Sequence, residues 1–309
     1  MVPPKGAPPS VATAFAPAAI TNFFEISYNS PQPTGATGGG YILSKGSTTR
    51  ATVVPGGGQT LETTVNGDPT FDARTTRRAV RLLLGDLKVD GSVTLEQEVQ
   101  TPIGAGFGAS AASATSAVYA VAHAAGVERP RPQIALFAHR AEILEQTGLG
   151  TVSVIFDAVG AGAITVSGEP GKAKFKMVPV PDGTRIVTAF IAPFDKKDAL
   201  SSSSVTERIN KLGHESLVSF LSDPTLETLA SEGERFSAAL GLESVEVRKL
   251  IGLAKSAGAV HASQNMIGYA VHCVVGPDDA DQVAMALLSY SREVRVDVFE
   301  VGTRRAGFV

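Results

Sequence analysis

The chain has 309 residues, of which 43% are hydrophobic and 18% charged, a balance that supports packed cores and excludes disorder throughout. A net charge of −3 offers no broad attraction to nucleic acid or to an anionic membrane surface. No run approaches the ~20 apolar residues a membrane span needs, and a chain of this length is expected to form two domains. The start, MVPPKGAPPS, lacks the charged-then-apolar order of a secretion signal and reads as a loose leader over 1–10. Cys273 is the single cysteine; it has no partner for an internal disulfide and lies in the apolar run Met266–Val275. A buried thiol in a reducing cytoplasm is therefore expected. The five histidines show no metal-ligand spacing.

In chain order, Val11–Phe15 reads as a strand and Ile20–Ser27 as a second element after Pro17. The tract Thr34–Gly40 (TGATGGG) reads as a turn or an anion-binding loop, and Pro55–Gly58 as a loop between strands. Thr76–Leu84 has helical spacing that stops near Gly85; the basic run Thr75–Arg81 on it reads as a solvated face or a local anion site. Ser92–Gln100 alternates, with Val93, Leu95 and Val99 opposite Thr94, Glu96 and Glu98. That is a half-buried strand of the antiparallel kind. Ser110–Ala125 is an alanine-rich helix closed by Gly126, and Gln133–Thr147 a second helix with Glu142 on the shoulder of its apolar stripe. Thr151–Ala158 and Ala163–Val166 read as strands or a turn between them. A domain boundary near Pro179–Gly183 divides the chain into 1–180 and 181–309. The second part reads strand (Arg185–Ala192), helices (Ser204–Leu221, Leu226–Leu240, Val245–Ala254), strand (Met266–Val275), helix (Asp279–Ser291) and strand (Val294–Val301). This order predicts an α+β arrangement.

Between the alternating strand and the alanine helix lies TPIGAGFGASAAS, Thr101–Ser113. Gly104, Gly106 and Gly108 remove the side chains that would block a triphosphate. The following helix start aims free N–H groups and a partial positive charge at it. Ser110 can offer a hydroxyl to a Mg²⁺ ion. A Walker loop is excluded because no Lys-Ser or Lys-Thr follows. Gly104, Gly106 and Ala109 match a dinucleotide fingerprint, yet the strand before them alternates where that motif needs a doubly buried one. A plain flexible turn before a helix is the remaining alternative.

The segment resembles the second motif of the GHMP kinases (galactokinase, homoserine, mevalonate and phosphomevalonate kinases), Pro-x-Gly-x-Gly-Leu-Gly-Ser-Ser-Ala-Ala. Pro102, Gly104, Gly106, Gly108, Ser110, Ala111 and Ala112 match; Phe107 and Ala109 depart. Within that superfamily the chain is similar to the archaeal pantoate kinases through Ala14–Ile26, Gly35–Gly40, Ala138–Val152 and Ala262–Gly268. The resemblance implies a two-domain GHMP kinase fold, with an N-terminal half like ribosomal protein S5 domain 2 and a C-terminal ferredoxin-like α/β sandwich. It implies a cytoplasmic homodimer that uses ATP and Mg²⁺ to phosphorylate pantoate to 4-phosphopantoate for coenzyme A.

It also implies roles. Pro102, Gly104, Ala105, Gly106, Phe107, Gly108, Ala109, Ser110 and Ala111 bind ATP; Ser110 and Glu142 hold the metal; Asn22, Glu25 and Thr37 contact the acceptor. Two departures bear on catalysis. The family tract Gly-Ser-Arg-Gly-Ala-Gly reads Gly35-Ala36-Thr37-Gly38-Gly39-Gly40 here, so Thr37 stands where an arginine would clamp the substrate carboxylate. The family's Thr-Gly-Leu-Gly-Asp-Val reads Thr147-Gly148-Leu149-Gly150-Thr151-Val152. Thr151 cannot act as a base at neutral pH, which leaves Asp157, six residues on, as the alternative.

Overall fold

A computed structural model describes residues 8–28, 33–193 and 203–309; most of the Pro-rich leader lies outside them. The first sheet holds β1 (Ser10–Tyr28), β2 (Pro33–Pro55), β3 (Thr60–Val65), β4 (Gly91–Val99), β5 (Ala161–Val166), β6 (Lys174–Val178) and β11 (Gly307–Phe308). Its order is β11-β1-β2-β4-β3, with β5 joining β2 and β6 joining β5. The β3–β4 pair is parallel and the others are antiparallel. One face carries α1 (Arg74–Leu87), α2 (Ala109–Ala124), α3 (Arg131–Glu145) and α4 (Thr151–Asp157). Residues 179–184 lead to the second sheet, β10-β7-β9-β8, built from β7 (Arg185–Ala192), β8 (His261–Gln264), β9 (Tyr269–Val275) and β10 (Arg295–Glu300). Helices α5 (Ser203–Ser222), α6 (Leu226–Leu240), α7 (Val245–Ser256) and α8 (Ala280–Leu288) complete this half. The arrangement is α+β, as expected.

The core explains the layers. Helix α2 is buried on nearly every side, with only Ser110 and His123 outside its buried set. Alanine and serine let it lie close to the sheet while α1 and α3 cover its back. A second cluster joins the halves: Phe23 and Phe107 from the first pack with Phe220, Phe236 and Phe299 from the second. Val247, Leu250, Val283 and Leu287 fill a third cluster against the second sheet.

Five elements differ from the sequence reading. Residues 11–27 form one strand, with irregularities at Pro17/Ala19 and Thr21/Phe23; Pro17, which has no N–H, sits where the ladder is broken. The glycine tract is strand, not turn: a Cβ on Gly40 would lie 2.0 Å from the Ile20 carbonyl oxygen, so the glycines allow β1 and β2 to cross closely. Thr151–Asp157 is helical, burying Val152, Ile155 and Phe156 at helical spacing. The run Met266–Val275 becomes a turn followed by β9, with β8 ahead of it, and α1 continues through Gly85 before ending left-handed at Lys88. Among the described residues no helix is long and apolar enough to cross a membrane, and no His, Cys, Asp and Glu group could hold a metal by itself. Cys273 is buried, its thiol pushed up to about 12 by burial.

Candidate active site

The glycine loop is shaped by three left-handed residues, Gly104 (φ 79°), Gly106 (φ 80°) and Gly108 (φ 61°), a conformation that any side chain would strain. Between them the side chains of Ala105 and Phe107 turn inward and are fully buried; Phe107 meets Phe299 with ring centroids 6.2 Å apart. These two residues therefore offer a ligand their backbone only. The loop is also braced from both halves. Asn265 donates from Nδ2 to the Ala105 carbonyl (3.3 Å), and Ala19 N–H to the Phe107 carbonyl (3.1 Å). Asn265 Oδ1 lies 2.8 Å from His272 Nδ1. Burial drives the His272 pKa down to about 3, so the ring is neutral and donates from Nδ1, while Nε2 faces the Ser263 hydroxyl at 3.2 Å.

The loop delivers the chain into α2, whose first turn has no side-chain cap and no acidic residue. Its free N–H groups and positive dipole end are left for an anion. Ser110, in that turn, donates from Oγ to Glu142 Oε1 at 2.6 Å. Glu142 is 2% exposed and receives a second bond from Thr147 Oγ1 (3.1 Å), itself 3.2 Å from Thr75 Oγ1. Gly148 lies directly against the carboxylate: a Cβ there would sit 2.3 Å from Oε2. A hydroxyl and a carboxylate oxygen converging beside an anion cradle are the hard donors Mg²⁺ takes, so these residues fit that ion.

Two cavities flank the loop. One, of ≈ 230 Å³, is lined by Gly104–Ser110 together with Val65, Phe71, Val99 and Ile103, with Arg74 at its edge. Its apolar wall suits a flat heterocycle, with the phosphate cradle beside it. The other, of ≈ 610 Å³, opens on the far side of the loop between β1, β2 and α4. Thr151, at the first position of α4, lines it, and its methyl packs where a Gly108 side chain would fall.

The sequence-derived acceptor and base residues divide. Thr37 lines the larger cavity, its hydroxyl buried with no protein partner among the described residues. Asn22 does not line it: the irregularity at Thr21/Phe23 turns Thr21 to the cavity and Asn22 into the core. There Asn22 Nδ2 donates to Tyr41 Oη (2.9 Å) and the Leu229 carbonyl (3.0 Å). Glu25 alternates away from Phe24 and Ile26 on the cavity wall and faces His214 (3.3 Å). Asp157 is at the opposite end of α4 from Thr151, roughly 9 Å along the helix. Its carboxylate accepts from Gly171 N–H (2.8 Å); its pKa is raised by burial, and it lines neither cavity. Thr75, Thr147 and Asn265 escaped the sequence reading. Thr147 sat in a quoted motif and Thr75 in the basic run, but only tertiary contact joins them to Glu142.

Comparison with known proteins agrees with this architecture. The family described as the GHMP kinases N terminal domain matches residues 74–160. The pantoate kinase of Thermococcus kodakarensis is 29% identical over 94% of this chain and 96% of its own length. That of Methanospirillum hungatei is 27% identical, over 84% of this chain and 86% of its own. A solved structure described as a phosphotransferase related to the CoA biosynthesis pathway superposes with a TM-score of 0.83 at 25% identity, covering 97% of this chain and 98% of its own.

Proposed function

Because the chain belongs to the GHMP kinase superfamily, we propose that it transfers the γ-phosphoryl group of ATP to a hydroxyl of pantoate, giving 4-phosphopantoate. The observation that carries the reading is the pairing of Ser110 with Glu142 at the mouth of a left-handed glycine loop that separates two cavities. The base and ribose occupy the smaller cavity. The triphosphate lies over the backbone of Gly104–Gly108 and the free N–H groups of α2, where the dipole offsets its charge. Ser110 and Glu142 are the residues that hold Mg²⁺, which when bound supplies the charge neutralisation that phosphoryl transfer demands. Pantoate occupies the larger cavity, its branched carbon body against the apolar wall and its polar end within reach of Thr37. No carboxylate lines that cavity among the described residues, and Thr151 is no base. Catalysis then rests on positioning and charge neutralisation, which suffice for a loose phosphoryl-transfer transition state. We further infer a cytoplasmic enzyme acting as a homodimer, with no nucleic-acid or membrane partner.

The test is ADP release with pantoate, homoserine, mevalonate and galactose as acceptors, with the product identified by mass. Turnover with pantoate alone establishes the assignment. Turnover with another acceptor corrects the substrate. ATP binding without turnover would instead make the protein a nucleotide-binding regulator, a reading that Thr151 in place of the family aspartate favours.

A further inference from the structure

A phosphoryl group passing from the smaller cavity to the larger must cross the residues common to both walls, and these are Gly106, Gly108, Gln146 and Thr147. The glycines present no side chain. The Thr147 hydroxyl is engaged by Glu142 and Thr75. Gln146 remains: it is exposed, and among the described residues its carboxamide has no hydrogen-bond partner. It ends α3 in the left-handed conformation (φ 56°, ψ 37°), its N–H on the Ile143 carbonyl. Glycine or asparagine is the usual occupant of such a position. Lys88 ends α1 the same way, lining neither cavity, so the conformation by itself assigns nothing. The position does: the helix end holds a neutral amide at the one place where both reactants meet.

We propose that Gln146 is a catalytic residue that touches both reactants. Its NH₂ group donates to an oxygen of the phosphoryl group in transit, and its carbonyl accepts from the acceptor hydroxyl and aims it. In the step the bond from γ-phosphorus to the bridging oxygen breaks, ADP leaving with the electron pair. A bond forms from the acceptor oxygen to phosphorus, and the hydroxyl proton passes to a phosphoryl oxygen. The carboxamide is neutral throughout and takes no proton. This assignment rests on the kinase reading above.

The experiment uses Gln146→Gly, which keeps the left-handed backbone and removes the amide, and Gln146→Asn, which tolerates that backbone but shortens the reach by one methylene. Wild-type protein is assayed first with the four acceptors; no product with any of them sinks the kinase reading itself, independently of Gln146. Given wild-type turnover, both variants should lose roughly a hundredfold or more in kcat. The KM for ATP should stay unchanged. The Tm should stay level in Gln146→Asn and stay level or rise in Gln146→Gly, where glycine relieves the left-handed backbone. ADP released per phosphorylated product should rise as water replaces a misaligned acceptor. Wild-type kcat and coupling in Gln146→Gly overturn the proposal. So does a fall in kcat that keeps wild-type coupling and comes with a lowered Tm, since that marks a structural role.

Discussion

Replacing Thr147 by valine keeps the shape of the side chain and removes the hydroxyl that holds Glu142 from behind. In the protein as it stands, Glu142 Oε1 accepts from Ser110 at 2.6 Å and from Thr147 at 3.1 Å. When Ser110 turns to a metal ion, the Thr147 hydroxyl still holds the carboxylate. A hydrogen bond to a charged group contributes about 1.5–3 kcal/mol. At ~1.4 kcal/mol per factor of ten, its loss should raise the Mg²⁺ concentration for half-maximal rate roughly ten- to a hundredfold. Outer partners of metal ligands generally show effects of this size. The valine also strands the hydroxyl of Thr75, which is 5% exposed, so the variant should lose about 1–3 kcal/mol of stability. Thr75→Val in the same chain should recover part of that without restoring Mg²⁺ affinity. The assays are a Mg²⁺ titration of the rate at saturating ATP and Mn²⁺ binding by electron paramagnetic resonance in the presence of ADP. Thr147→Ser should behave as wild type. A folded Thr147→Val protein with wild-type half-saturation and Mn²⁺ affinity refutes the reasoning.

Other substitutions probe neighbouring parts of the site. Glu142→Ala and Ser110→Ala should each lower kcat by about a hundredfold or more, measured by coupled ADP release; wild-type rates in both would remove them from the metal site. Gly148→Ala places a methyl 2.3 Å from Glu142 Oε2. It should cost about 1–3 kcal/mol by thermal unfolding and depress Mg²⁺-dependent turnover, and wild-type values of both would show that the carboxylate moves freely. His272, held near 3 when folded and near 6.5 when unfolded, takes up a proton on unfolding anywhere between those values. Its contribution is full above pH 6.5 and is lost as pH falls towards 3. His272→Gln should therefore flatten the fall of Tm over that window, and parallel Tm profiles would contradict the burial argument. His261, whose pKa is raised chiefly by Glu234, acts in the opposite sense and is common to both proteins in that comparison.

The glycine loop and the bare helix start were legible because their determinants are local. Three glycines at alternate positions, a helix start with no competing acid, and Ser110 in the first turn lie within ten residues of one another. Glu142 stands on the shoulder of an apolar stripe, a place a surface glutamate also takes, and only the family resemblance singled it out. The acceptor side was not legible, because it depends on crossings that sequence does not display. The glycines of 34–40 look like a turn until β1 is laid across them at contact distance. Asn22 looks like a binding residue until a bulge rotates it into the core. Asp157 follows Thr151 by only six residues, but a helix carries it to the far end of the element where a strand or turn was expected. The joining of the halves was equally hidden, since Phe107 meets Phe299 across 192 positions of chain.

Strand β11 shows what that joining entails for synthesis. Gly307 and Phe308 pair with Phe15 and Ala14, Phe308 packs on Tyr119 and His123, and the Ala306 carbonyl receives the Arg131 guanidinium. The edge of the first half is thus closed by residues translated long after the rest of that half. While the ribosome still holds them, β1 presents an unpaired edge beside an alanine-lined core, an opening for mispairing with a neighbouring nascent chain. The first half is begun early and completed late, so a ribosome-stalled or clipped product ending before 306 should aggregate instead of surviving as a free N-terminal domain.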